Sequence, residues 1–315
     1  MFYNNESAML LYAKCMETMK KLNRDYYNLR KSNSYKIGML LTTTVKLIKK
    51  RDFKGLKKHY LRWGLGRKSF KKGKQQEHDF PLVELPPEMY FSQERVAVYT
   101  VIFGAYDEII EPISSPDNVD YYIITDQDVN LVNSAWEKVD ISDFITGLEG
   151  LSNSEKNRYF KMNPFKVFNE YKYSIYIDGN IQVVTDLTEF VNRIGESDIA
   201  THQHFCRNCV YDECEAVLVA KKDSAENINR HRQLFVDTHM PKNYGLMECN
   251  VIARRHSIRC EEIMKMWWKE FLEYSKRDQL SLPHVLYENG IKVEDVATLG
   301  SNVFKNPALR VVTHN

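Results

Sequence analysis

YSIYIDGNIQVV, residues 173–184, decides how the rest of the chain is read. Tyr173 to Ile177 is a run of β-branched and aromatic residues, the pattern of a strand buried on both faces. The run stops at Asp178-Gly179-Asn180, and Ile181 to Val184 resumes it. A carboxylate, a glycine and an amide therefore close a buried strand. Ligands of open α/β sheets sit at the carboxyl ends of strands. One carboxylate and one carbonyl oxygen can contribute to an oxygen-donor site for Mn²⁺ or Mg²⁺, with a nucleotide diphosphate completing the shell. The same residues also suit an Asp-Gly-Asn β-turn joining two strands.

Upstream, Arg95 to Phe103 (RVAVYTVIF) reads as a second buried strand, ending in the loop Gly104-Ala105-Tyr106-Asp107. Asp120 to Thr125 (DYYIIT) is a third, ending at Asp126. Residues 153–170 read as a helix carrying Asn157, Arg158, Lys161 and Lys166, with a kink or break at Asn163-Pro164. Arg158 and Lys161 are three apart and share a face, so they can hold a diphosphate or form a surface pair. Downstream, Asp198 to Thr201 is a further strand, followed by His202, His204, Cys206, Cys209 and Cys214. Cys206 and Cys209 are spaced for zinc, but Cys214 is too far on and no fourth ligand is properly placed. Arg207 to Glu213, which includes Asp212, is a charged cluster past that strand. Val251 to Ala253 is a strand entered through Glu248 and Asn250. Glu261 to Tyr274 and Leu280 to Tyr287 are helices, with Asp278 between them as an N-cap or as a carboxylate at a junction where catalytic groups often sit. Strands alternating with helices make this part an α/β domain.

The chain of 315 residues is 43% hydrophobic and 27% charged, as soluble globular proteins are. With 13 Gly and 9 Pro, collagen-like and low-complexity readings are excluded. No apolar run approaches the roughly 20 residues that span a bilayer, since Ile37 to Ile48 is broken by three threonines and a lysine. Asn4, Asn5 and Glu6 stand where a signal peptide has its basic region. Six cysteines make no disulfide scaffold, so a reduced, cytoplasmic protein is expected. The net charge of +2 hides a division: residues 1–78 hold 20 Lys and Arg against 5 Asp and Glu, and the remainder is acidic. We therefore expect a basic helical extension over 1–78, a linker over 79–93 and the α/β domain over 94–315.

In the extension, Met9, Tyr12, Met16, Met19, Leu22, Tyr26 and Leu29 form one stripe of a helix over 7–31, packed within its own domain or used for dimerisation as a homodimer. A second helix is expected from about Thr42 to Trp63, weakened by Gly55. Its lysines and aromatic residues suit an anionic membrane surface. A contact with the acidic remainder or between copies is the alternative. Nucleic acid would attract the same charges, but no zinc-finger or RNP pattern supports it.

Taken in order, Val98–Asp107 (VYTVIFGAYD), Asn157–Lys161 (NRYFK), Tyr176–Ile181 (YIDGNI), His202 with Arg207–Glu213 (RNCVYDE), Glu248–Arg254 (ECNVIAR) and Arg277–Leu280 (RDQL) resemble a known family. It is the glycosyltransferase-like domain family of plant mucilage- and pectin-related proteins and of many bacterial polysaccharide gene products. The resemblance covers roughly residues 94–295. It implies a GT-A-like, Rossmann-type α/β sandwich with a mixed central sheet, and transfer of a sugar from a nucleotide sugar, UDP-linked, to a growing glycan or lipid-linked glycan. Asp178 and Asn180 would stand where GT-A enzymes keep an Asp-x-Asp metal motif, here with a neutral third residue. Thr100, Phe103, Gly104, Tyr106, Asp107 and Asp126 would contact base and ribose, and Arg158 and Lys161 the diphosphate. Asp278, Glu248, Asp212 and Glu213 would be the acid/base or nucleophile candidates, Asp278 foremost. The basic extension would hold the protein at the inner face of the cell membrane. A nucleotidyl or phosphosugar transferase and a non-catalytic scaffold are the rival readings.

Overall fold

The computed structural model describes residues 6–68, 85, 89 and 92–312. The expected linker, 79–93, lies almost wholly outside the described residues. The chain divides into two compact units, Met1–Gln76 and Glu77–Asn315.

The first unit consists of α1 (Glu6–Lys31), α2 (Asn33–Lys49) and α3 (Phe53–Lys68). The single helix expected from Thr42 to Trp63 is instead two. Ser32 caps α2 by accepting the Tyr35 N–H, so the helix begins at Asn33, nine residues earlier than the pattern suggested. It stops because Arg51 turns left-handed, at φ 54°. The Asp52 side chain then accepts the Gly55 N–H at 2.7 Å, capping α3. Gly55 is therefore a first-turn residue, where a Cβ would collide with that carboxylate, and not a weak point in mid-helix.

The second unit is a layered α/β structure. Its strands and helices run β1 (Val96–Ile102), β2 (Val119–Thr125), β3 (Trp136–Lys138), α4 (Ser142–Ile145), α5 (Asn153–Met162), β4 (Tyr173–Ile177), β5 (Ile181–Val183), α6 (Glu189–Asn192), β6 (Ile199–Gln203), α7 (Val210–Val219), α8 (Ala225–Asp237), β7 (Met247–Arg255), α9 (Ile258–Glu273), α10 (Asp278–Glu288) and β8 (Leu309–Val311). The main sheet has the order β3-β2-β1-β4-β7-β6. β1 to β4 are parallel; β7 lies antiparallel between β4 and β6, so the sheet is mixed, as expected.

Every residue of β1 and β4 is buried because both faces are covered. Tyr99, Val101 and Tyr176 pack with Phe160, Trp267 and Phe271 on one side. Val98, Ile102, Ile175 and Ile177 pack with Leu187 and Phe190 on the other. The period of two along each strand sends alternate residues to the two cores. The expected helix over 153–170 ends at Met162. Asn163, forced out of the helical region ahead of Pro164, leaves it at φ −125° and ψ 55°. A Ser152–Glu155 capping box starts it.

Two sequence expectations are corrected by pairing. The Asp-Gly-Asn turn is present, closed by Ile181 N–H donating to the Asp178 carbonyl at 2.9 Å, but the strands it joins do not pair with each other: β4 belongs to the main sheet, and β5 pairs with β8 in a separate two-stranded sheet. Glu248 and Asn250 lie inside β7 rather than before it. β3, β7's full length and β8 escaped the pattern reading, as did α7 and α8.

Candidate active site

The carboxyl ends of β1, β2 and β4 open on one edge of the sheet. β7 runs the opposite way, so its amino-terminal half, with Glu248 and Asn250, reaches the same edge. Asp178 N–H donates to the Asn250 carbonyl at 2.8 Å, and Val312 N–H donates to the Asn180 carbonyl at 2.8 Å. The 178–180 turn is thus held from both sides by backbone.

Gly179 is required there by close approach. A Cβ on it would lie 2.8 Å from Asp107 Oδ2 and 3.1 Å from Ile102 Cγ1. Asp107 therefore packs directly on the turn that carries Asp178 and Asn180. The first loop is tied down in turn: Gly104, at φ 68°, donates its N–H to Asp126 Oδ1 at 3.0 Å. Between these pieces lies a cleft of about 620 Å³ whose lining includes Tyr106, Asp107, Thr125, Gln127, Gly179 and Asn180. Thr100 and Phe103, expected at this cleft, are inside the core, where Phe103 stacks on Phe160.

The cations occupy a buried network. Lys161, 1% exposed, donates to Asp278 Oδ2 at 2.6 Å and lies 3.9 Å from Asp178 Oδ1. Arg158 Nε sits 2.9 Å from the same Asp278 oxygen, close enough for an ion pair though its N–H is out of line for a hydrogen bond. The shared face expected of Arg158 and Lys161 is real, and it converges on a carboxylate 117 residues away from Lys161. Burial alone would push the Asp278 carboxyl up. Arg158, Lys161 and Arg277 outweigh that and hold it well below the usual carboxylate range. Asp278 is the first residue of α10 and Arg277 is its N-cap.

Tyr176, fully buried, donates its hydroxyl to Asp178 Oδ1 at 2.7 Å. Burial and then the Asp178 charge push its phenol well up, so it remains a donor. Asn157 is fixed by its amide on the Val101 carbonyl at 2.6 Å, and its Oδ1 accepts from Arg158 at 2.5 Å. Tyr176 and Asn157 open two of the family motifs, but neither was given a role from sequence. Tyr176 had a signal: it stands two before Asp178 along a strand, so both side chains leave the same face.

Glu248 behaves differently from Asp278. It is 4% exposed, and burial pushes its carboxyl up to about 7, against the pull of the Val303 N–H and the Asn250 amide. Its Oε2 accepts from Val303 N–H at 3.0 Å and from Asn250 Nδ2 at 3.4 Å. His202 is its cross-strand neighbour and is held neutral by burial, down to about 3. Asp212 is exposed on the first turn of α7, and Glu213 is buried against Arg207.

Below the network, Arg254 is fully buried on β7. It donates to the Lys161 carbonyl at 2.5 Å and to the Tyr99 hydroxyl at 2.5 Å. Those contacts satisfy the open carbonyl end of α5, which also carries the negative pole of the helix dipole. Among the described residues no carboxylate pairs with this guanidinium, and no group of three or more His, Cys, Asp or Glu side chains is placed to hold a metal ion.

A family model described as TOD1/MUCI70, glycosyltransferase-like domain, matches residues 67–314. The chain belongs to that family. The glycosyltransferase-like domain extends beyond residues 94–295, where its motifs lie, on both sides. No curated protein matches the chain. Solved structures similar to it include the WbbM bifunctional glycosyltransferase in its apo form, 16% identical, with a TM-score of 0.43. That likeness covers 62% of this chain and 38% of WbbM, so the chain spans well under half of that protein. Mouse xyloside xylosyltransferase 1 is 8% identical with a TM-score of 0.39, covering 63% of this chain and 82% of its own. GlyE of Streptococcus pneumoniae TIGR4 is 12% identical with a TM-score of 0.33, covering 64% and 45%. The glycosyltransferase-like domain of this chain has the mixed-sheet α/β architecture that the motifs implied.

Proposed function

We propose that the second unit transfers a sugar from a nucleotide sugar, UDP-linked, to a growing cell-surface glycan. The observation that carries this reading is the meeting of Asp178, Lys161, Arg158 and Asp278 at the strand ends that border an open cleft. Three cations, Arg158, Lys161 and Arg277, face two carboxylates there, Asp278 and Asp178, which leaves one positive charge for a departing diphosphate. The nucleotide takes the cleft beside Tyr106 and Thr125, and the sugar lies toward Glu248.

The donor set suits a divalent cation held jointly by protein and substrate. Asp178 and Asn180 offer oxygens, and Asp107 lies against Gly179 between them. Such a site, short of a full protein cage, fits Mn²⁺ or Mg²⁺ that relies on phosphate oxygens. When bound, the ion would supply further neutralisation of the diphosphate.

The chain's own residues then divide the work. Tyr176 orients Asp178 through its hydroxyl. Asp278, held ionised by its cations, keeps Arg158 and Lys161 in place and is a poor proton acceptor. Glu248, whose carboxyl changes protonation near neutral pH, is the group suited to take the acceptor hydroxyl's proton. Membership of the family supports the chemistry; the acceptor is proposed to be lipid-linked, at the cytoplasmic face of the membrane. The test is calorimetric titration of UDP with Mn²⁺, followed by a panel of nucleotide sugars assayed for release of UDP. Binding lost in Asp178→Ala, with donor hydrolysis by the parent, is the expected result. No binding by the parent, or release of pyrophosphate instead of UDP, would overturn it.

A further inference from the structure

The first unit exposes apolar surface that its own fold does not use. No residue of α2 is buried. Ile37, Leu41, Val45 and Ile48 are each 51–60% exposed. Their spacings of four, four and three put them in one row on one side of the helix. The lysines of the same helix avoid that side: Lys36 and Lys46 lie across the helix from it, with Lys50 just past the end, and Lys49 borders it. Leu41 and Val45 join Thr42, Lys46, Lys49 and Lys50 around a shallow groove of about 580 Å³. Phe53, at the start of α3, is also exposed, and Lys54, Lys57 and Lys58 follow it.

An isolated helix of 17 residues is marginal in water, and one whose apolar row faces water gains nothing from packing on that side. Apolar residues on one face and lysines on the other are the pattern of a helix lying in the plane of a membrane interface. Among the described residues no helix is long and apolar enough to cross a membrane. We infer that α2 docks on an anionic lipid surface, burying Ile37, Leu41, Val45 and Ile48 among acyl chains while its lysines reach the headgroups.

Charge calls for an anionic occupant, and the exposed apolar row calls for one that also supplies acyl chains, which the acidic remainder of the chain does not. Residues 1–78 carry 20 Lys and Arg against 5 Asp and Glu, so a second copy on the same face would bring like charges together. Lipid phosphates and carboxylates provide the opposite sign, and long lysine stems let the ammonium groups rise to them. The inference deepens the membrane-face part of the proposal above and does not depend on the sugar chemistry.

The experiment is vesicle sedimentation of the full chain, with phosphatidylcholine alone and with one third phosphatidylglycerol. Two variants accompany it: Leu41→Ser with Val45→Ser, and Lys46→Gln with Lys49→Gln and Lys50→Gln. These side chains are exposed, so circular dichroism should show helix content unchanged. The expected result is binding to anionic vesicles only, weakened about tenfold or more by either variant and by molar salt. Anionic binding equal in parent and serine variant would overturn the assignment to α2 while leaving membrane attachment standing. Absence of vesicle binding would overturn both. A dimer in light scattering that the serine variant dissociates, without vesicle binding, would assign the row to a second copy instead.

Discussion

Replacing Glu248 by Gln separates the cost of a buried carboxyl from its use. Its carboxyl rises from 4.5 to about 7, chiefly through burial. The folded chain therefore binds a proton more tightly at this position than the unfolded chain does. Stability from it is fully present below about pH 4.5 and is lost as pH climbs to about 7. At about 1.4 kcal/mol per pH unit, the parent gives up roughly 3 kcal/mol between those limits. Glutamine carries no charge at either pH, but with its oxygen toward the Val303 N–H its NH2 replaces the second carboxyl oxygen, which keeps an acceptor lone pair even when protonated, a loss of about 1 kcal/mol. Glu248→Gln should thus be destabilising by about 1 kcal/mol at pH 4.5 and stabilising by about 2 kcal/mol at pH 8. Urea unfolding of both proteins at the two pH values measures this directly. The same variant should bind UDP as the parent does yet hydrolyse donor about a hundredfold more slowly. Equal stability differences at the two pH values would refute the electrostatic reasoning; full turnover would remove Glu248 from the chemistry.

Asp278→Asn takes the nearest counter-ion from the buried Lys161 and the half-buried Arg158, leaving Lys161 only the more distant Asp178, and should destabilise by about 2–4 kcal/mol in urea at pH 7. The parent's advantage exists above the ordinary carboxylate range and fades only as pH falls through Asp278's depressed value, so the two proteins should converge in strong acid. Gly179→Ala drives a methyl onto Asp107 and Ile102 and should weaken UDP binding with Mn²⁺ by about tenfold, at a cost in stability of about 1–2 kcal/mol. Arg254→Lys can serve the Lys161 carbonyl or the Tyr99 hydroxyl but not both. It should cost about 1–3 kcal/mol and make Lys161 reactive toward an amine-labelling reagent read by mass spectrometry; Lys161 as protected as in the parent would exclude a positioning role for Arg254.

Local pattern was enough for the strands with β-branched and aromatic runs, β1, β2 and β4, and for α1 and α9, whose apolar residues repeat at helical spacing; it found α5 but carried it eight residues too far. It was also enough for the polar residues at strand ends, because a buried run that stops at Asp178 or Gly104 marks its own boundary. The three-residue strands β3 and β8 carry too few residues for a period to register, and the partner of β8, β5, is distant in the chain. α2 was misjudged because Arg51 turns left-handed without a glycine to announce it.

What the chain's order of residues determined by itself was the α/β alternation, the basic extension and the family. Whether a given carboxylate is a base or a counter-ion was decided only by the tertiary structure. Asp278 and Glu248 are equivalent on paper: both are carboxylates beside an element boundary. Folding puts two cations on the first and a few N–H donors in a dry interior around the second, moving their proton affinities in opposite directions. The field at a carboxyl group is set by charges and solvent within a few ångströms, and residues 161 and 278 come within that distance only once β1, α5 and α10 are packed together.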